Sequence, residues 1–419
     1  MAKFLDSDAA RGLRALRHRS YRDLVVGFSA NQLGFWLSHL SLQGLVVDLS
    51  DNDPSKVTLL FLFMFLPAAV IAPVAGVAAD RVDRRRLAQA TYAAVVVLAA
   101  ALAVLTETDN ISLGSAYAFA LGFGMCFAVL GPTMSAVVAN TVPTRDLASA
   151  ISIQSVVANV SRVVGPLLAA PLIAAELFGW GFGSFAVGSA MAVILLSRVQ
   201  LTPYESDTDR AGVLRRIRDG FDHARERRPT LGAISAMAAM SIFGVSTVGL
   251  IPTFTEEALG QDRGRFTLVV AATGVGAIFG ALGGGYDARR PSLARASLYL
   301  VAYGTFALGF ALNSSFPLAL AIQAVMGVFY FLGVTQLQTL VQVLVDDAKR
   351  GRVMSLFQVA WGGVLPIGSL LLSLAVGPVG WSSRLTYAVT SVALITITGA
   401  IALRASIKDR PVGLPRHGR

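Results

Sequence analysis

Residues 76–86 read GVAADRVDRRR and lie between two long apolar runs. The stretch carries two aspartates and four arginines, and so many charges cannot lie within the hydrocarbon of a bilayer. It therefore predicts a tight turn at the water boundary that joins two membrane-spanning helices. The excess of arginine indicates that this turn lies on the cytoplasmic side.

The composition indicates that the chain is an integral membrane protein. Of its 419 residues, 54% are hydrophobic and 14% are charged, and the mean hydropathy is +0.64. These values exclude an ordinary soluble enzyme of several domains. The net charge of +10 does not indicate nucleic-acid binding, because the basic residues are scattered among short loops. Because Cys126 is the single cysteine, an internal disulfide and a cysteine-rich metal site are excluded.

The apolar residues form twelve windows separated by short polar breaks. A helix needs about 20 mostly apolar residues to cross the hydrocarbon. The approximate window cores are 24–47, 57–78, 87–105, 116–138, 151–174, 182–196, 231–253, 267–285, 296–312, 318–344, 354–376 and 385–401. The sequence therefore predicts an all-α membrane protein with twelve transmembrane helices.

The distribution of Lys and Arg tests the number and direction of these helices. With windows that alternate in direction, thirty of the thirty-five basic residues fall on the side that holds both termini. Four others, Lys56, Arg263, Arg265 and Arg384, fall on the opposite side, and Arg162 lies within a window. With eleven or thirteen helices, the basic residues would be divided between both sides of the membrane. We therefore expect twelve helices with both termini in the cytoplasm.

The longest polar stretch lies midway along the chain and predicts a division into two parts. We expect an amino-terminal six-helix half in residues 1–199, a cytoplasmic linker in 200–230, and a carboxy-terminal half with a tail in 231–419. Within the linker, residues 212–228 fit either an interfacial amphipathic helix or a solvated charged loop. A second Gly-x-x-x-Asp sequence follows the first by 207 residues, which indicates that the second half repeats the first.

Several stretches resemble a known family. The residues Gly76, Asp80, Arg81, Arg84 and Arg85 resemble the G-x-x-x-D-R-x-x-R-R loop between helices 2 and 3 of the major facilitator superfamily of transporters. Four further stretches are similar to its bacterial exporters related to the enterobactin exporter and the macrolide efflux proteins. They are LRHRSYRDLVVGFSANQLGFWLS, VPTRDLASAISIQSVVANVSRVVGP, LRRIRDGFDHARERRP and KRGRVMSLFQ.

The resemblance implies two similar six-helix halves related by an axis along the membrane normal, the major facilitator fold. It also implies an exporter in the cytoplasmic membrane of a bacterium, driven by an ion gradient that is usually a proton gradient. The chain departs from the family pattern at Phe35, where many relatives have an acidic residue, and at Asp83, where glycine is usual.

Transport by alternating access requires a polar surface that faces a central cavity. On the first helix, Gln32, Trp36, His39 and Gln43 follow a spacing that places them on one face, and the tenth helix repeats this spacing from Phe331. The predicted cavity residues are Asn31, Gln32, Trp36, His39, Gln43, Asn159, Arg162, Thr335, Gln338 and Gln342.

Arg162 is the most informative of these residues, because a guanidinium in an apolar helix must face water, a partner or an anion. The alternative is that it bonds backbone carbonyls or Asn159 as part of helix packing. His39 fits either a packed histidine or a protonation switch. No Asp or Glu lies in the middle of a window, so the cavity favours a neutral or anionic amphipathic solute, and proton coupling would use His39 or an outer carboxylate.

Alternating access also requires latches that close the cytoplasmic side. Asp80 can accept hydrogen bonds from unpaired backbone donors of a neighbouring helix, and Arg84 and Arg85 can pair with carboxylates. The start of helix 11 is the predicted receiver. The predicted gate residues are Gly76, Asp80, Arg81, Arg84, Arg85, Asp287, Arg289, Arg290, Asp346, Asp347, Arg350, Gly351 and Arg352. Alternatively, these basic loops only hold the orientation of the protein.

We therefore expect a monomeric secondary transporter that exports an amphipathic small molecule, such as a siderophore, a hydrophobic natural product or a drug. Membrane lipids are the other expected partners, and no cofactor is expected apart from a proton gradient. The alternatives are a lipid or lysolipid flippase and, more remotely, a channel. An enzyme is not expected, because the sequence has no H-E-x-x-H motif, no paired intramembrane carboxylates and no phosphate-binding G-x-x-x-x-G-K-[ST] loop.

Overall fold

The computed structural model of the chain describes residues 8–81, 83–200, 225, 228–262, 264–287, 291–345 and 347–408. Side chains are described for the same residues except 8–12, 71–81, 285–286, 347–352 and 408. Several predicted gate side chains lie outside the described residues. They are those of Gly76, Asp80, Arg81, Arg289, Arg290, Asp346, Asp347, Arg350, Gly351 and Arg352.

The described chain folds into twelve long helical elements and no strand. A short 3-10 helix, Asp8–Arg17, precedes them. In the amino-terminal half, α1 is Arg19–Leu49, α2 Pro54–Arg81, α3 Arg84–Glu107, α4 Leu113–Ala139, α5 Thr144–Ala174 and α6 Phe178–Ser197. In the carboxy-terminal half, α7 is Arg228–Glu257, α8 Phe266–Asp287, α9 Leu293–Leu312, α10 Phe316–Leu344, α11 residues 347–376 and α12 Ser383–Lys408. Each helix covers one predicted window, so the twelve-helix prediction is confirmed.

Two of these elements are not continuous α-helices. In α7, a 3-10 segment, Val245–Leu250, separates Arg228–Phe243 from Ile251–Glu257. In α11, a π-helical turn, Val359–Gly363, separates two α-helical segments. Such irregular turns expose backbone groups or re-aim side chains in the middle of a bilayer.

Ten of the described helices are long and apolar enough to cross a membrane. The remaining two are α1, whose apolar surface is interrupted by amides and a histidine, and α2, in which Pro54–Val70 forms a shorter apolar helix within the described range. The chain is therefore a multi-pass membrane protein.

The two halves pack their helices in the same pattern. In the amino-terminal half, α1 contacts α5 and α6, α3 contacts α4 and α6, and α2 contacts α4. The helices six positions later make the equivalent contacts: α7 with α11 and α12, α9 with α10 and α12, and α8 with α10. This repetition shows the two pseudo-symmetric six-helix halves expected for the fold.

Glycines at equivalent places allow the closest of these approaches. A Cβ atom on Gly124 of α4 would lie 2.1 Å from the carbonyl oxygen of Met64 in α2. A Cβ atom on Gly327 of α10 would lie 2.2 Å from the carbonyl oxygen of Thr273 in α8. Only glycine lets these backbones pack so closely, as is common between membrane helices.

The halves meet along two seams, between α2 and α11 and between α5 and α8. We call the side opposite the termini the outer side. Near the outer end of the first seam, Ser55 of α2 and Ser373 of α11 place their hydroxyl oxygens 2.9 Å apart. Nearby, Gln43 of α1 donates to the Val248 carbonyl in the 3-10 segment of α7, at 3.2 Å. Hydrogen bonds therefore join the two halves on the outer side.

Candidate substrate-binding site

The central site begins where α1 crosses α5. A Cβ atom on Gly165 would lie 2.3 Å from the Cβ atom of Trp36, so the absence of a side chain at this position lets the indole rest against α5. Arg162 lies almost one turn earlier on the same helix. The Arg162 Cζ atom is 5.9 Å from the centre of the Trp36 ring system. The Gly-Pro sequence of α5 thus brings the tryptophan beside the half-buried arginine.

The guanidinium of Arg162 reaches across to the other half of the molecule. Its Cζ atom lies 5.0 Å from the ring centre of Phe331, which is on α10. An arginine can be attracted to aromatic faces at this distance. The cation is therefore placed between aromatic rings supplied by both halves.

Within the described residues, Arg162 has no hydrogen bond and no carboxylate partner. Its nitrogens are also not among the buried polar atoms without partners, so the group faces accessible space. Asn159, the alternative partner considered from the sequence, donates instead to the Ser155 carbonyl at 2.8 Å. Since an uncompensated cation at this depth is costly, the arrangement is suited to a negatively charged ligand.

Aromatic rings form one wall next to this site. The His39 imidazole stacks on Phe35 with a centroid distance of 5.5 Å and an interplanar angle of 11°. Phe61 meets the imidazole edge-on at 5.5 Å. His39 is only 8% exposed, and its Nδ1 atom has no hydrogen-bond partner. The histidine is thus packed among rings and lies one turn from Trp36, while its role stays a prediction.

The amides of α1 have different surroundings. Asn31 donates to the Ser189 hydroxyl of α6 at 2.9 Å and is buried within the amino-terminal half. Gln32 is half-buried. Gln43 is fully buried and links the halves through Val248, while its Oε1 atom has no partner. The predicted cavity residues of α1 therefore divide into a packing contact at Asn31, the central site and the outer seam.

The predicted polar stripe on α10 also divides. Phe331 faces Arg162, whereas Thr335 packs against Gly284 of α8. Gln338 and Gln342 are exposed and lie nearer the carboxyl end of the helix. The structure therefore brings only the first member of this stripe to the central cation.

Two residues of the central site were missed by sequence reasoning. The indole nitrogen of Trp361, in the π-helical turn of α11, donates to the Tyr330 hydroxyl at 2.8 Å. Tyr330 is next to Phe331 in the sequence, and their rings lie 5.2 Å apart. Neither residue stands out in an apolar, aromatic-rich window. The irregular turn that aims Trp361 has no signal in hydropathy.

The described part of the predicted cytoplasmic gate makes contacts within its own half. Asp83 caps α3 by accepting from the Arg86 backbone at 3.0 Å. Arg85 donates to the Val199 carbonyl beyond the end of α6, at 3.2 Å. Arg84 also has a partner. These contacts tie the turn after α2 to α6, and the predicted latch to helix 11 stays a prediction.

Asp287, the repeat counterpart of Asp80, is held in a network within the carboxy-terminal half. It accepts hydrogen bonds from Arg295 and Tyr299 of α9 and from Gln336 of α10. The distance from the Tyr299 hydroxyl is 3.0 Å. Tyr299 follows Tyr92 by the same 207 residues that separate the two aspartates, which is a sequence signal for this network that reasoning missed.

A second pair, on the side that holds the termini, joins the amino-terminal segment to α5. His18 Nε2 lies 2.9 Å from a carboxylate oxygen of Asp146, which is 5% exposed. The backbone of Ala15 donates to the Ser149 hydroxyl at 3.0 Å, and Tyr21 donates to the Ala150 carbonyl at 2.7 Å. Sequence reasoning missed Asp146 because it lies in a polar stretch beside Arg145, ahead of the predicted apolar window, where the structure places the first turn of α5. Among the described residues, no three His, Cys, Asp or Glu side chains form a group that could hold a metal ion.

Twelve helices in two repeated halves, with a cation enclosed by rings from both, define a membrane transporter of the major facilitator type. More particularly, the chain belongs to the family described as transmembrane secretion effector, which matches residues 10–410. The predicted superfamily and its fold are therefore confirmed. The prediction that the protein is a transporter and not an enzyme is confirmed as well.

Among known proteins, the chain is similar to the Staphyloferrin A transporter of Staphylococcus aureus. The two are 24% identical over 373 residues, which are 87% of this chain and 91% of that protein. Two solved structures share the fold. The nucleoside transporter NupG has a TM-score of 0.71 at 12% identity, covering 93% of this chain and 100% of that one. A bacterial homologue of the human lysosomal transporter Spinster, inward-facing and occupied, has a TM-score of 0.68 at 15% identity, covering 93% and 96%.

Proposed function

We propose that this protein exports an amphipathic small molecule across the cytoplasmic membrane of a bacterium by alternating access. The solute is neutral or anionic, and a siderophore, a hydrophobic natural product or a drug fits this description. The observation that carries the proposal is Arg162, a cation without a protein carboxylate in the described chain, placed between aromatic rings of both halves.

The position of Arg162 gives a reason for alternating access. Its helix α5 forms one of the two seams, and a Cβ atom on Gly274 of α8 would lie 2.9 Å from the Arg162 carbonyl oxygen. A solute bound beside Arg162 therefore lies where the two halves move relative to each other. Hydrogen bonds on the outer side, such as that between Gln43 and Val248, must break before a solute can leave outward.

The relatives support the class of solute. The Staphylococcus aureus protein is named a Staphyloferrin A transporter, and the family is described as a secretion effector. Both names agree with outward movement of a small molecule. The partition of basic residues favours cytoplasmic termini, so that a solute from the cytoplasm enters between the ends of the helices that carry Arg84 and Asp287.

In this proposal a proton gradient drives export, and the protein works as a monomer surrounded by lipid. His39 is the titratable candidate at the centre, because it is buried beside Trp36 with an unpartnered ring nitrogen. The outer carboxylates, such as Glu256, are the other candidates.

The test is transport by the purified protein in proteoliposomes, with and without an imposed pH gradient. The probes are the anionic amphipath 8-anilinonaphthalene-1-sulfonate and the neutral amphipath N-phenyl-1-naphthylamine. We expect gradient-dependent movement of at least one probe, which Arg162→Gln slows. Arg265→Gln is the matched control, because Arg265 also lies over a phenylalanine ring, at 5.9 Å, but in an outer loop. Lack of movement of both probes contradicts the proposal.

The same vesicles test the flippase and channel alternatives. Fluorescent lysophosphatidylcholine in the inner leaflet becomes accessible to dithionite only if the protein flips lipids. If this lipid moves and the two probes do not, the protein is a lipid flippase and not an exporter of small molecules. If single-channel conductance is measured in planar bilayers, the protein is a channel and not an exporter.

A further inference from the structure

The π-helical turn of α11 serves to aim one side chain at the central site. Turns of this kind occur frequently at functional positions. The Trp361 indole nitrogen in this turn donates to the Tyr330 hydroxyl at 2.8 Å. The carbonyl of Trp361 accepts a hydrogen bond from Ser241 of α7, which holds the turn in place. Three helices of the carboxy-terminal half therefore fix the position of the Tyr330 hydroxyl.

The direction of this hydrogen bond determines what Tyr330 can do. An indole N–H only donates, so the Tyr330 oxygen is the acceptor. The hydroxyl proton of Tyr330 is then available for another partner. Among the described residues it has no acceptor, which leaves an oriented donor in the centre of the molecule.

Tyr330 and Arg162 lie near each other from opposite halves. Phe331 contacts the guanidinium at 5.0 Å and packs edge-on against Tyr330 at 5.2 Å. Phe331 is thus a common neighbour of the Tyr330 ring and of the guanidinium. One side of the site therefore offers the donors of Arg162, and the other offers the donor of Tyr330.

We propose that Arg162 and Tyr330 together bind one carboxylate, and that the transported solute is an acid with its carboxylate next to a planar apolar group. This inference rests on the proposed export function and specifies its substrate class. A carboxylate accepts several hydrogen bonds at once, and Arg162 can bind it in a forked geometry that leaves a lone pair for Tyr330. Trp36 and Phe331 supply flat surfaces for the apolar part.

The two donors also give the carboxylate a role in the transport cycle. Arg162 is on α5 and Tyr330 is on α10, so an anion held by both is bound best when the halves are close together. A ligand shifts a conformational equilibrium only through such differential contacts. An arylcarboxylate therefore favours the state in which the halves enclose it, whereas the matching amide does not.

The experiment uses three probes that share a ring and differ in charge: 2-naphthoate, 2-naphthamide and 2-naphthylmethylammonium. Binding to the full chain in lipid nanodiscs is measured by titration calorimetry. We expect 2-naphthoate to bind most tightly and the ammonium probe to bind least. Tyr330→Phe, which removes only the hydroxyl, should weaken 2-naphthoate by about tenfold to a hundredfold, the range for one hydrogen bond to a charged group. It should weaken the binding of 2-naphthamide much less, because a neutral carbonyl accepts a weaker hydrogen bond than a carboxylate does.

Three further variants test separately the orientation of the Tyr330 hydroxyl, the charge of Arg162 and the packing around Tyr330. Trp361→Phe should reduce the preference for 2-naphthoate less than Tyr330→Phe does, because it frees the hydroxyl without removing it. Arg162→Gln should abolish the preference. Tyr303→Phe is the matched control, because Tyr303 is a buried tyrosine whose ring lies 6.4 Å from that of Tyr330, and it should change nothing.

Several results would overturn the inference. The three probes could bind with equal affinity, or none of them could show saturable binding. The Tyr330→Phe variant could keep the preference for 2-naphthoate. That variant could also bind 2-naphthoate and 2-naphthamide more weakly by the same factor and have a lower melting temperature. Each of these leaves export intact if the vesicle probes still move. Conversely, tight and selective binding of 2-naphthoate without transport of any probe would support the site and contradict the proposed function.

Discussion

The hydrogen bonds of the outer seam lead to a testable prediction about movement between the two halves. Ser55 donates to the Ser373 carbonyl at 2.9 Å, Ser373 donates to the Ser55 carbonyl at 3.0 Å, and the two hydroxyl oxygens are 2.9 Å apart. If export requires the outer side to open, these contacts break in every cycle. With the bond between Gln43 and Val248, these three hydrogen bonds oppose opening by about 1.5 to 4.5 kcal/mol, taking roughly 0.5 to 1.5 kcal/mol for each net hydrogen bond.

A disulfide at this place should stop the cycle. Hydroxyl oxygens 2.9 Å apart, each one bond from its Cβ atom, are compatible with the Cβ separation of about 3.5 to 4.5 Å that a disulfide requires. We therefore expect the double variant Ser55→Cys with Ser373→Cys to oxidise readily and to lose transport of 8-anilinonaphthalene-1-sulfonate in proteoliposomes. A reductant should restore transport to that of the uncrosslinked variant, because thermal motion can break hydrogen bonds but not the covalent link.

The chain offers clean controls for this experiment. Its single native cysteine, Cys126, is buried and should not compete for oxidation. The pair Asn31→Cys with Ser189→Cys replaces a contact of 2.9 Å between α1 and α6, within one half. Crosslinking that pair should leave transport intact. Transport at the normal rate by the oxidised Ser55 and Ser373 variant would refute the idea that the halves separate on the outer side.

Three further substitutions test the central site and the Asp287 network. Gly165→Val should displace Trp36, since even a Cβ atom would lie 2.3 Å from the tryptophan Cβ, and should weaken 2-naphthoate binding at least tenfold in calorimetry; unchanged affinity would remove Trp36 from the site. Asp287→Asn should lower stability by about 1 to 3 kcal/mol, because Arg295 and its other donors lose a charged acceptor, and an unchanged melting temperature would show that the network is dispensable. His39→Ala should flatten the pH dependence of transport if the histidine carries the proton. An unaltered pH profile would show that His39 serves only in packing and that the outer carboxylates couple transport to protons.

The number and placement of the helices could be predicted from local sequence alone. A membrane helix satisfies its backbone hydrogen bonds internally and must be apolar over a fixed length, so each span is encoded by a local run of residues. The repeat was also readable, because Gly283 and Asp287 follow Gly76 and Asp80 at one offset. Arg162 could be singled out for the same reason, since one charge in an apolar window is conspicuous.

Which polar and aromatic groups act together depends on how the helices pack in three dimensions. Gln43 finds its partner 205 residues away, in a 3-10 segment that hydropathy does not predict. Thr335 shares a helical face with Phe331 but packs against α8, because neighbouring helices cover different lengths of that face. Tyr330 and Trp361 look like ordinary apolar positions until the π-helical turn brings them together. Spacing along one helix determines a shared face, whereas contact depends on how distant helices cross, and that geometry arises only when all the helices pack together.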